Sequence, residues 1–283
     1  MREGTIALPG GRRLGYAEYG DARGAPVLAL HGLPGSRFQR HPDESIAARL
    51  GARLIVFERP GFGLSERAPR TSLSARAQDA VALADALGLA RLRLLAVSGG
   101  APAGCACALA FGARAERLAL VGGVGPPGSM RAAAALITYI GFALARRLPS
   151  ALRPIVALGA RSAQRDPARA LERLARTLPP ADRRMLARAD VRAMFAEDLR
   201  AAFAQGSDAF VDDLALSAGP WGFRLADLRV ATDIWHGEDD RIVPSTAARA
   251  LAAIPGSRLH LLAGEGHYFV FERWEEILAT LLR

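Results

Sequence analysis

Short β-type hydrophobic runs alternate with helical stretches along most of the chain. The predicted strands are Arg13–Tyr19, Val27–Leu30, Leu54–Glu58, Leu92–Val97, Leu118–Gly122, Val230–Trp235 and Arg258–Leu262. Apolar residues at helical spacing predict a helix over Thr71–Leu87, which stops before Gly88. Further helices are predicted after Ser98, after Pro244 and over Trp274–Leu282. This alternation is typical of the α/β class, with a mostly parallel twisted sheet and helices on both faces.

The alternation is interrupted once, between Pro126 and Pro220. This part of the chain has no strand pattern and consists of alanine- and arginine-rich helical stretches separated by prolines and Gly206. Strands resume at Val230, so we interpret the interruption as a helical cap inserted into one core. Residues 1–125 and 221–283 are expected to form the α/β core, and residues 126–220 the cap. A length of 283 residues fits one core with an insertion.

Composition and charge narrow the classes of partner. Hydrophobic residues make up 51% of the chain and charged residues 23%, which is typical of a globular protein. The 37 basic residues against 28 acidic ones give a net charge of +9, and all the basic residues are arginines because lysine does not occur. These arginines are interleaved with acids along the predicted helices, and no recognition motif accompanies them. No nucleic-acid partner is therefore expected.

The apolar and cysteine content predicts the compartment. The longest apolar segment, Ala132–Ala145, has about 14 residues, and a bilayer core needs about 20. The residues after Met1 lack the apolar region of a signal peptide. Cys105 and Cys107 cannot frame a disulfide-stapled fold or a zinc site, and we interpret both as buried packing residues. We expect a cytoplasmic protein without a membrane partner.

A candidate nucleophile lies where the strand Leu92–Val97 meets a predicted helix. Ser98 is flanked at two residues' distance by the small residues Ala96 and Gly100, as a tight strand-to-helix turn requires. Such a nucleophile elbow presents the serine hydroxyl at a helix N-terminus, where N–H groups favour a developing anion. The alternative is that Ser98 only caps the helix.

Three more loops follow strands, at the sheet edge where ligands of α/β proteins bind. The loop that begins at His31 is glycine-rich and fits an oxyanion loop, in which the N–H groups of Leu33 and Gly99 supply two donors. We interpret His31 itself as an anchor of that loop. An acidic turn follows Val230–Trp235, and one of its acids can orient a histidine. The histidine best placed to be a base is His267, on a glycine-flanked loop after the last predicted strand.

Together these motifs resemble the α/β-hydrolase superfamily, in the cap-bearing branch that includes proline-iminopeptidase-like enzymes and many bacterial esterases. The resemblance covers nearly the whole chain. The matching stretches are His31-Gly32-Leu33-Pro34-Gly35-Ser36, Glu58-Arg59-Pro60-Gly61-Phe62-Gly63-Leu64-Ser65, Ala96 to Gly100, Gly237 to Pro244, and Gly266-His267. Two positions depart from the family pattern: Ala96 replaces a glycine, and Glu58 stands where members usually have aspartate.

The resemblance implies a triad of Ser98, Asp240 and His267, in the chain order that the family uses, with Asp239 as the second choice for the acid. It implies a serine hydrolase that needs no cofactor and no metal and that cleaves an ester or amide through an acyl-enzyme. An esterase is the first expectation and an aminopeptidase the second. A carbon–carbon bond hydrolase and a non-catalytic ligand-binding homologue remain alternatives.

The expected substrate is a small molecule with an apolar acyl part. Within the segment Ala132–Ala145, Tyr139 and Phe142 are predicted to contact it, unless the segment packs within the cap or against a second copy of the chain. Glu197 or Asp198 could hold the free amine of a peptide, or both could be solvated acids. Residues Gly123 to Gly128 spell a dinucleotide-binding pattern, but two prolines replace its N–H donors, so no cofactor is predicted.

Overall fold

One eight-stranded sheet organises the computed structural model, which describes residues 1–68, 71–130 and 136–283. The strands are β1 (Arg2–Ala7), β2 (Arg13–Gly20), β3 (Ala25–Leu30), β4 (Ala52–Phe57), β5 (Leu92–Val97), β6 (Ala115–Val121), β7 (Ala231–Gly237) and β8 (Arg258–Leu262). Their spatial order is β1-β2-β4-β3-β5-β6-β7-β8. The strands from β4 to β8 in this order pair in parallel, and β1 and β2 pair antiparallel at one edge.

Helices cover both faces of this sheet, and six others lie between β6 and β7 in sequence. They are α1 (Ser45–Arg49), α2 (Leu73–Ala86), α3 (Ala101–Phe111), α4 (Leu136–Arg147), α5 (Pro149–Arg165), α6 (Pro167–Ala175), α7 (Pro180–Ala187), α8 (Ala189–Ala202), α9 (Asp208–Ala218), α10 (Ser245–Leu251) and α11 (Trp274–Leu282). None of the helices in the described ranges is long and apolar enough to span a membrane.

Alternate strand residues enter two separate hydrophobic cores. On β3, Leu28 and Leu30 pack with α2 and α3, whereas Val27 and Ala29 pack with α1 and α11. This follows from the pleat, which points successive side chains to opposite faces. A strand packed on both faces has a mostly apolar sequence, and Leu92–Val97, whose one polar residue is the half-buried Arg93, could be predicted to the residue.

The predicted fold class is confirmed, and two small elements were not predicted. The strand β1 is an antiparallel edge strand of mixed polarity, so its sequence lacks the apolar run of the central strands. The helix α1 has five residues, too few for a periodic pattern. The helix predicted from Thr71 begins at Leu73, because the Ser72 hydroxyl caps it by accepting a hydrogen bond from the Ala75 N–H at 3.1 Å.

The six helices from α4 to α9 lie between β6 and β7 in sequence and are called the insertion below. Three of them, α5, α6 and α7, begin with a proline, which the first turn of a helix tolerates. Over residues 126–130 and 136–220 the structure contains no strand. Residues 131–135, which belong in part to the predicted apolar segment, lie outside the described residues.

Candidate active site

Ser98 lies on a sharp turn between β5 and α3. Its φ is +51°, in the left-handed region that residues other than glycine rarely adopt. Close packing on both sides requires small neighbours: a Cβ on Gly100 would lie 2.6 Å from the carbonyl oxygen of Leu30, and one on Gly104 would lie 2.5 Å from the Cβ of Ala96. Backbone strain of this kind costs about 1–3 kcal/mol and persists only where the surroundings hold it.

His267 connects Ser98 to Asp240. Its Nε2 lies 3.0 Å from Ser98 Oγ, and its Nδ1 lies 2.6 Å from Asp240 Oδ2. Since a carboxylate only accepts hydrogen bonds, Nδ1 carries the ring proton and Nε2 is left to accept from the serine hydroxyl. Burial disfavours the charged imidazolium, but the charge and hydrogen bond of Asp240, together with the charge of Asp182, outweigh burial, so the pKa of His267 is raised. The ring can therefore take the proton of Ser98.

Of the two acids considered for the turn after β7, Asp240 is the one that contacts the histidine. Asp240 is buried, and its Oδ1 accepts from the N–H groups of Ile242 at 2.8 Å and Val243 at 2.9 Å. These bonds fix the carboxylate and leave Oδ2 for His267. Asp239 is exposed.

The loop after β7 and the loop after β8 cross at Gly237. A Cβ at this position would lie 2.2 Å from the carbonyl oxygen of Gly266, so only glycine allows the crossing. The Asp239 N–H donates to the Glu265 carbonyl at 2.9 Å and joins the loops further. The crossing is what brings an acid and a histidine from different strands together.

Leu33 and Gly99 face one another next to Ser98. A Cβ on Gly99 would lie 2.5 Å from the Cβ of Leu33 and 3.4 Å from its nitrogen. Among the described residues, no acceptor takes the backbone N–H of Leu33. Gly99 stands at the start of the turn into α3, where backbone N–H groups have no partner within the helix. The two N–H groups can serve as donors to an oxyanion.

A buried ion pair holds the loop that carries Leu33. His31 is fully buried; its Nδ1 donates to the Gly32 carbonyl at 2.8 Å, and its Nε2 accepts from the Arg59 N–H at 3.2 Å. Burial, and then the charge of Arg59, lower the pKa of His31 well below its ordinary value, so His31 stays neutral. The Arg59 guanidinium donates to the carbonyls of His31 and Gly32 and to Asp213 of α9 at 2.7 Å. Asp213 also pairs with Arg76.

A cavity of about 470 Å³ opens above these groups and reaches Ser98 and His267. It lies between the carboxyl edge of the sheet and the insertion. Most of its wall is apolar, and the insertion contributes Val156, Ala160, Leu171, Phe195, Leu199, Phe203 and Phe210 to it. Besides Ser98 and His267, the described residues of the wall with polar side-chain atoms are Gln39, Arg40, Thr138, Tyr268 and Trp274.

Tyr139 and Phe142, which the sequence predicts to contact substrate, lie in a different place. Phe142 is buried in an apolar cluster with Leu152 and Leu214, and Tyr139 packs against that cluster. Thr138, on the same helix, lines the cavity. A role of Tyr139 and Phe142 in selecting acyl groups stays a prediction, and it would act through packing behind the wall.

The two acids of α8 also differ from each other. Glu197 has 45% of its side chain exposed and lies 3.4 Å from Arg40. Asp198 is buried at 1% exposure, where the sequence suggested a solvated acid. It accepts hydrogen bonds from Ser36 and Gln39 of the loop that carries Leu33, and burial raises its pKa to about 7.

Sequence reasoning missed a second buried acid of the insertion. Asp182 of α7 accepts from the backbone N–H groups of His267 at 3.0 Å and Tyr268 at 2.7 Å. Its partners are 85 and 86 residues away in sequence. No local pattern indicates such a contact, since an aspartate in the first turn of a helix is common for reasons of the helix alone.

Comparisons to known proteins agree with the fold. Residues 25–273 match the model of the alpha/beta hydrolase fold family, so the chain belongs to that family. A curated relative, a 2-hydroxy-6-oxononadienedioate/2-hydroxy-6-oxononatrienedioate hydrolase of Pseudomonas putida, is 30% identical over 288 residues, which cover 97% of this chain and 91% of the relative.

Solved structures share the fold at lower identity. An esterase from Rhodococcus sp. ECU1013 superposes with a TM-score of 0.70 and 24% identity, over 99% of this chain and 98% of that one. An enol-lactonase from Burkholderia xenovorans LB400 superposes with a TM-score of 0.66 and 22% identity, over 99% of each chain. These structures support the fold, and the family match together with the P. putida relative confirms the predicted family.

Proposed function

We propose that the protein is a serine hydrolase that cleaves a small carboxylic ester with an apolar acyl group. The observation that carries the proposal is the hydrogen-bonded chain from Ser98 through His267 to Asp240, with steps of 3.0 and 2.6 Å, at the floor of an apolar cavity. A nucleophile, a base and an orienting acid in contact are the requirements of covalent acyl transfer.

The reaction would proceed in two halves. His267 Nε2 takes the hydroxyl proton as Ser98 Oγ attacks the ester carbonyl, and the N–H groups of Leu33 and Gly99 hold the resulting oxyanion. The imidazolium, stabilised by Asp240, gives its proton to the leaving alcohol, and an acyl-enzyme remains. Water, deprotonated by His267, then attacks the acyl-enzyme, and collapse of the second tetrahedral intermediate releases the acid and restores Ser98.

The cavity favours a neutral ester over a peptide with a free amino terminus. An aminopeptidase needs an acid that reaches the substrate amine, and the described residues of the cavity wall include no aspartate or glutamate. Asp198 uses both carboxylate oxygens on Ser36 and Gln39, and Glu197 lies beside Arg40. We therefore rank an aminopeptidase below an esterase.

The P. putida relative supports a second candidate, the hydrolysis of a carbon–carbon bond in a dienoic diketone. The same nucleophile, base and oxyanion donors could attack a ketone. A dienedioate carries two carboxylates, and Arg40 is the one arginine among the described residues of the wall. Glu44 at 2.7 Å and Glu197 at 3.4 Å already neutralise it. A dianionic substrate thus fits this cavity less well than a neutral one.

Substrate profiling separates these candidates. We expect turnover of p-nitrophenyl esters of graded acyl length, with little or none of aminoacyl arylamides or of a 2-hydroxy-6-oxo dienoic acid. A phosphonate ester probe should label Ser98 in the native protein and leave the Ser98→Ala variant unlabelled. Turnover of the dienoic acid without turnover of esters would favour the second candidate. Absence of both labelling and turnover would favour a non-catalytic homologue.

A further inference from the structure

Asp182 reaches from the insertion to the backbone of the proposed base. It is buried at 1% exposure, and its two oxygens accept separately from the N–H groups of His267 and Tyr268. A Cβ on the preceding Gly266 would lie 2.3 Å from the Asp182 carboxyl carbon. One carboxylate therefore touches three successive residues of the loop after β8.

The same carboxylate acts on the charge of the base. Burial raises the pKa of Asp182, and the two N–H donors, together with the charge of His267, oppose that rise. Its charge adds to that of Asp240 in raising the pKa of His267. Three other titratable groups lie nearby. The His236 Nε2 lies 3.5 Å from Asp240, and burial lowers the pKa of His236. The Tyr268 ring lies 5.5 Å from that of His267, and burial raises the pKa of Tyr268; Glu265, on the same loop, interacts with Asp182.

Asp198 reaches the opposite wall of the site in a comparable way. Its Oδ1 accepts from both the N–H and the hydroxyl of Ser36 at 2.7 Å, and its Oδ2 accepts from Gln39 Nε2 at 3.1 Å. Gln39 Oε1 in turn accepts from the N–H of Gly32, the residue before Leu33. The carboxylate thus holds the oxyanion loop directly at Ser36 and, through the Gln39 side chain, at Gly32.

We propose that Asp182 and Asp198 are positioning residues. Asp182 fixes the loop of the base His267 and places a negative charge beside it, and Asp198 fixes the loop of the oxyanion donor Leu33. The inference rests on the proposed function, because it assigns the two aspartates to roles in that reaction. It makes the insertion a part of the catalytic geometry as well as a wall of the cavity. Buried carboxyl groups with specific partners are common at functional sites.

Substitution of Asp182 and substitution of Asp198 should impair the reaction in different ways. Asp182→Asn keeps the shape but removes the charge and replaces one acceptor by an NH₂ group that cannot accept. We expect kcat to fall about 10- to 100-fold, as loss of a hydrogen bond to a charged group predicts, and the acid limb of kcat/KM to move to lower pH. Asp182→Glu keeps the charge and displaces it, so kcat should fall while the acid limb stays nearer that of the wild type.

Asp198→Asn should spare the base and weaken the oxyanion site. We expect an unchanged NMR titration of the His267 ring and an unchanged KM for an ester. An alkyl trifluoromethyl ketone, whose adduct with Ser98 places an oxyanion between the two donors, should bind about 10-fold less tightly. A residue that only stabilised the fold would not separate KM from affinity for this inhibitor.

Asp190→Asn is the matched control, since Asp190 also belongs to α8 but pairs with Arg188 at the surface, where 46% of its side chain is exposed. It should leave kcat, the acid limb and inhibitor affinity unchanged. All variants are compared at a temperature where circular dichroism shows them folded. For a folded Asp182→Asn protein, wild-type kcat and acid limb would overturn the inference for Asp182. A wild-type inhibitor affinity in Asp198→Asn would overturn it for Asp198.

An NMR titration makes the failure of this inference distinguishable from failure of the proposed function. The His267 imidazole, assigned with a His267→Gln variant, should titrate at a lower pH in Asp182→Asn than in the wild type, whether or not any ester is turned over. An unshifted titration would count against Asp182 even in an active enzyme. If the wild type neither hydrolyses esters nor takes the phosphonate on Ser98, the proposed function fails instead.

Discussion

Two regions meet at the cavity, and they contribute to it by different means. The carboxyl edge of the sheet supplies Ser98, Asp240 and His267, each on a short loop directly after a strand. The insertion supplies most of the apolar wall and three buried acids on helices far away in sequence, Asp182, Asp198 and Asp213.

The difference lies in what fixes each group. The positions of the sheet residues follow from local rules, such as the tight turn at Ser98 and the glycine crossing at Gly237. The insertion residues are fixed by long-range contacts between buried side chains and loop backbone. We expect changes at the sheet edge to remove the chemistry, and changes in the insertion to alter its rate, its selectivity or the stability of the protein.

The largest effect is expected at Ser98. Ser98→Ala removes the nucleophile but retains the Cβ and the cavity, so turnover of a p-nitrophenyl ester should fall by about 10⁴-fold or more while the substrate still binds. Steady-state rates, with circular dichroism to compare the folds, test this. Turnover near that of the wild type would contradict the proposed mechanism.

The second effect separates neighbouring acids at the sheet edge. Asp240→Asn should lower kcat by about 10⁴-fold, because an amide favours the wrong tautomer of His267. Asp239→Asn serves as the matched control and should cost little, since Asp239 is exposed. If the two variants exchanged their behaviour, the acid would be Asp239.

The third prediction concerns stability where the insertion meets the core. Asp213→Asn leaves Arg59 and Arg76 buried with one neutral partner, so the free energy of unfolding should fall by about 3–5 kcal/mol. Asp190→Asn breaks a surface pair and should change it by about 1 kcal/mol or less. Urea unfolding midpoints measure both. Equal losses of unfolding free energy in the two variants would mean that the buried ion pairs of Asp213 do not stabilise the contact between the insertion and the core.

The fourth prediction tests which part of the insertion selects the acyl group. Phe203 lines the cavity, and Phe142 is equally buried but lies behind the wall. Phe203→Ala should change the ratio of kcat/KM between long and short acyl esters about 10-fold, since one methylene in an apolar pocket is worth about 1–3 kcal/mol. Phe142→Ala should scale all esters by one factor and lower stability.

Other results for Phe203→Ala and Phe142→Ala would lead to a different conclusion. A changed ratio in Phe142→Ala would support the direct substrate contact that the sequence suggested. Unchanged ratios in both variants would place acyl selection outside the insertion.

The smallest effect is a displacement of the pH profile. The proposed base must be neutral, and Asp240 raises the pKa of His267 against the effect of burial. The rate should therefore fall as pH decreases through a pKa above the ordinary histidine value of about 6.5. Measurement of kcat/KM from pH 5 to 9 tests this. A flat profile over that range would argue against His267 as the base.

The parts of the fold that could be predicted are those with local signals. The strand before Ser98 is packed on both faces and is apolar except for Arg93, and the small residues around Ser98 reveal the turn. The strand β1 was missed because an edge strand has no such run. For the site, the loops indicated Ser98 and His267, and the resemblance to the family selected Asp240 over Asp239; the structure brings Ser98, Asp240 and His267 together.

The insertion's contribution to the site could not be predicted in the same way. Asp182 and Asp198 sit on helices whose sequence gives no sign of burial, and their partners lie 85 to 162 residues away. Only the folded chain places them. The hydrophobic pattern of the sequence does not distinguish the phenylalanines of the insertion from one another. It therefore cannot separate Phe203, which lines the cavity, from Phe142, which lies behind the wall.

The carboxylates of α7 and α8 bear on how such enzymes can be recombined. A designer who exchanges the insertion of this chain for that of another family member, in order to import a new acyl preference, also removes the acceptors for His267, Tyr268 and Ser36. A chimera that carried the new wall alone would keep its nucleophile and lose the alignment of its base. We expect successful grafts to restore an acid at positions 182 and 198 together with the imported lining.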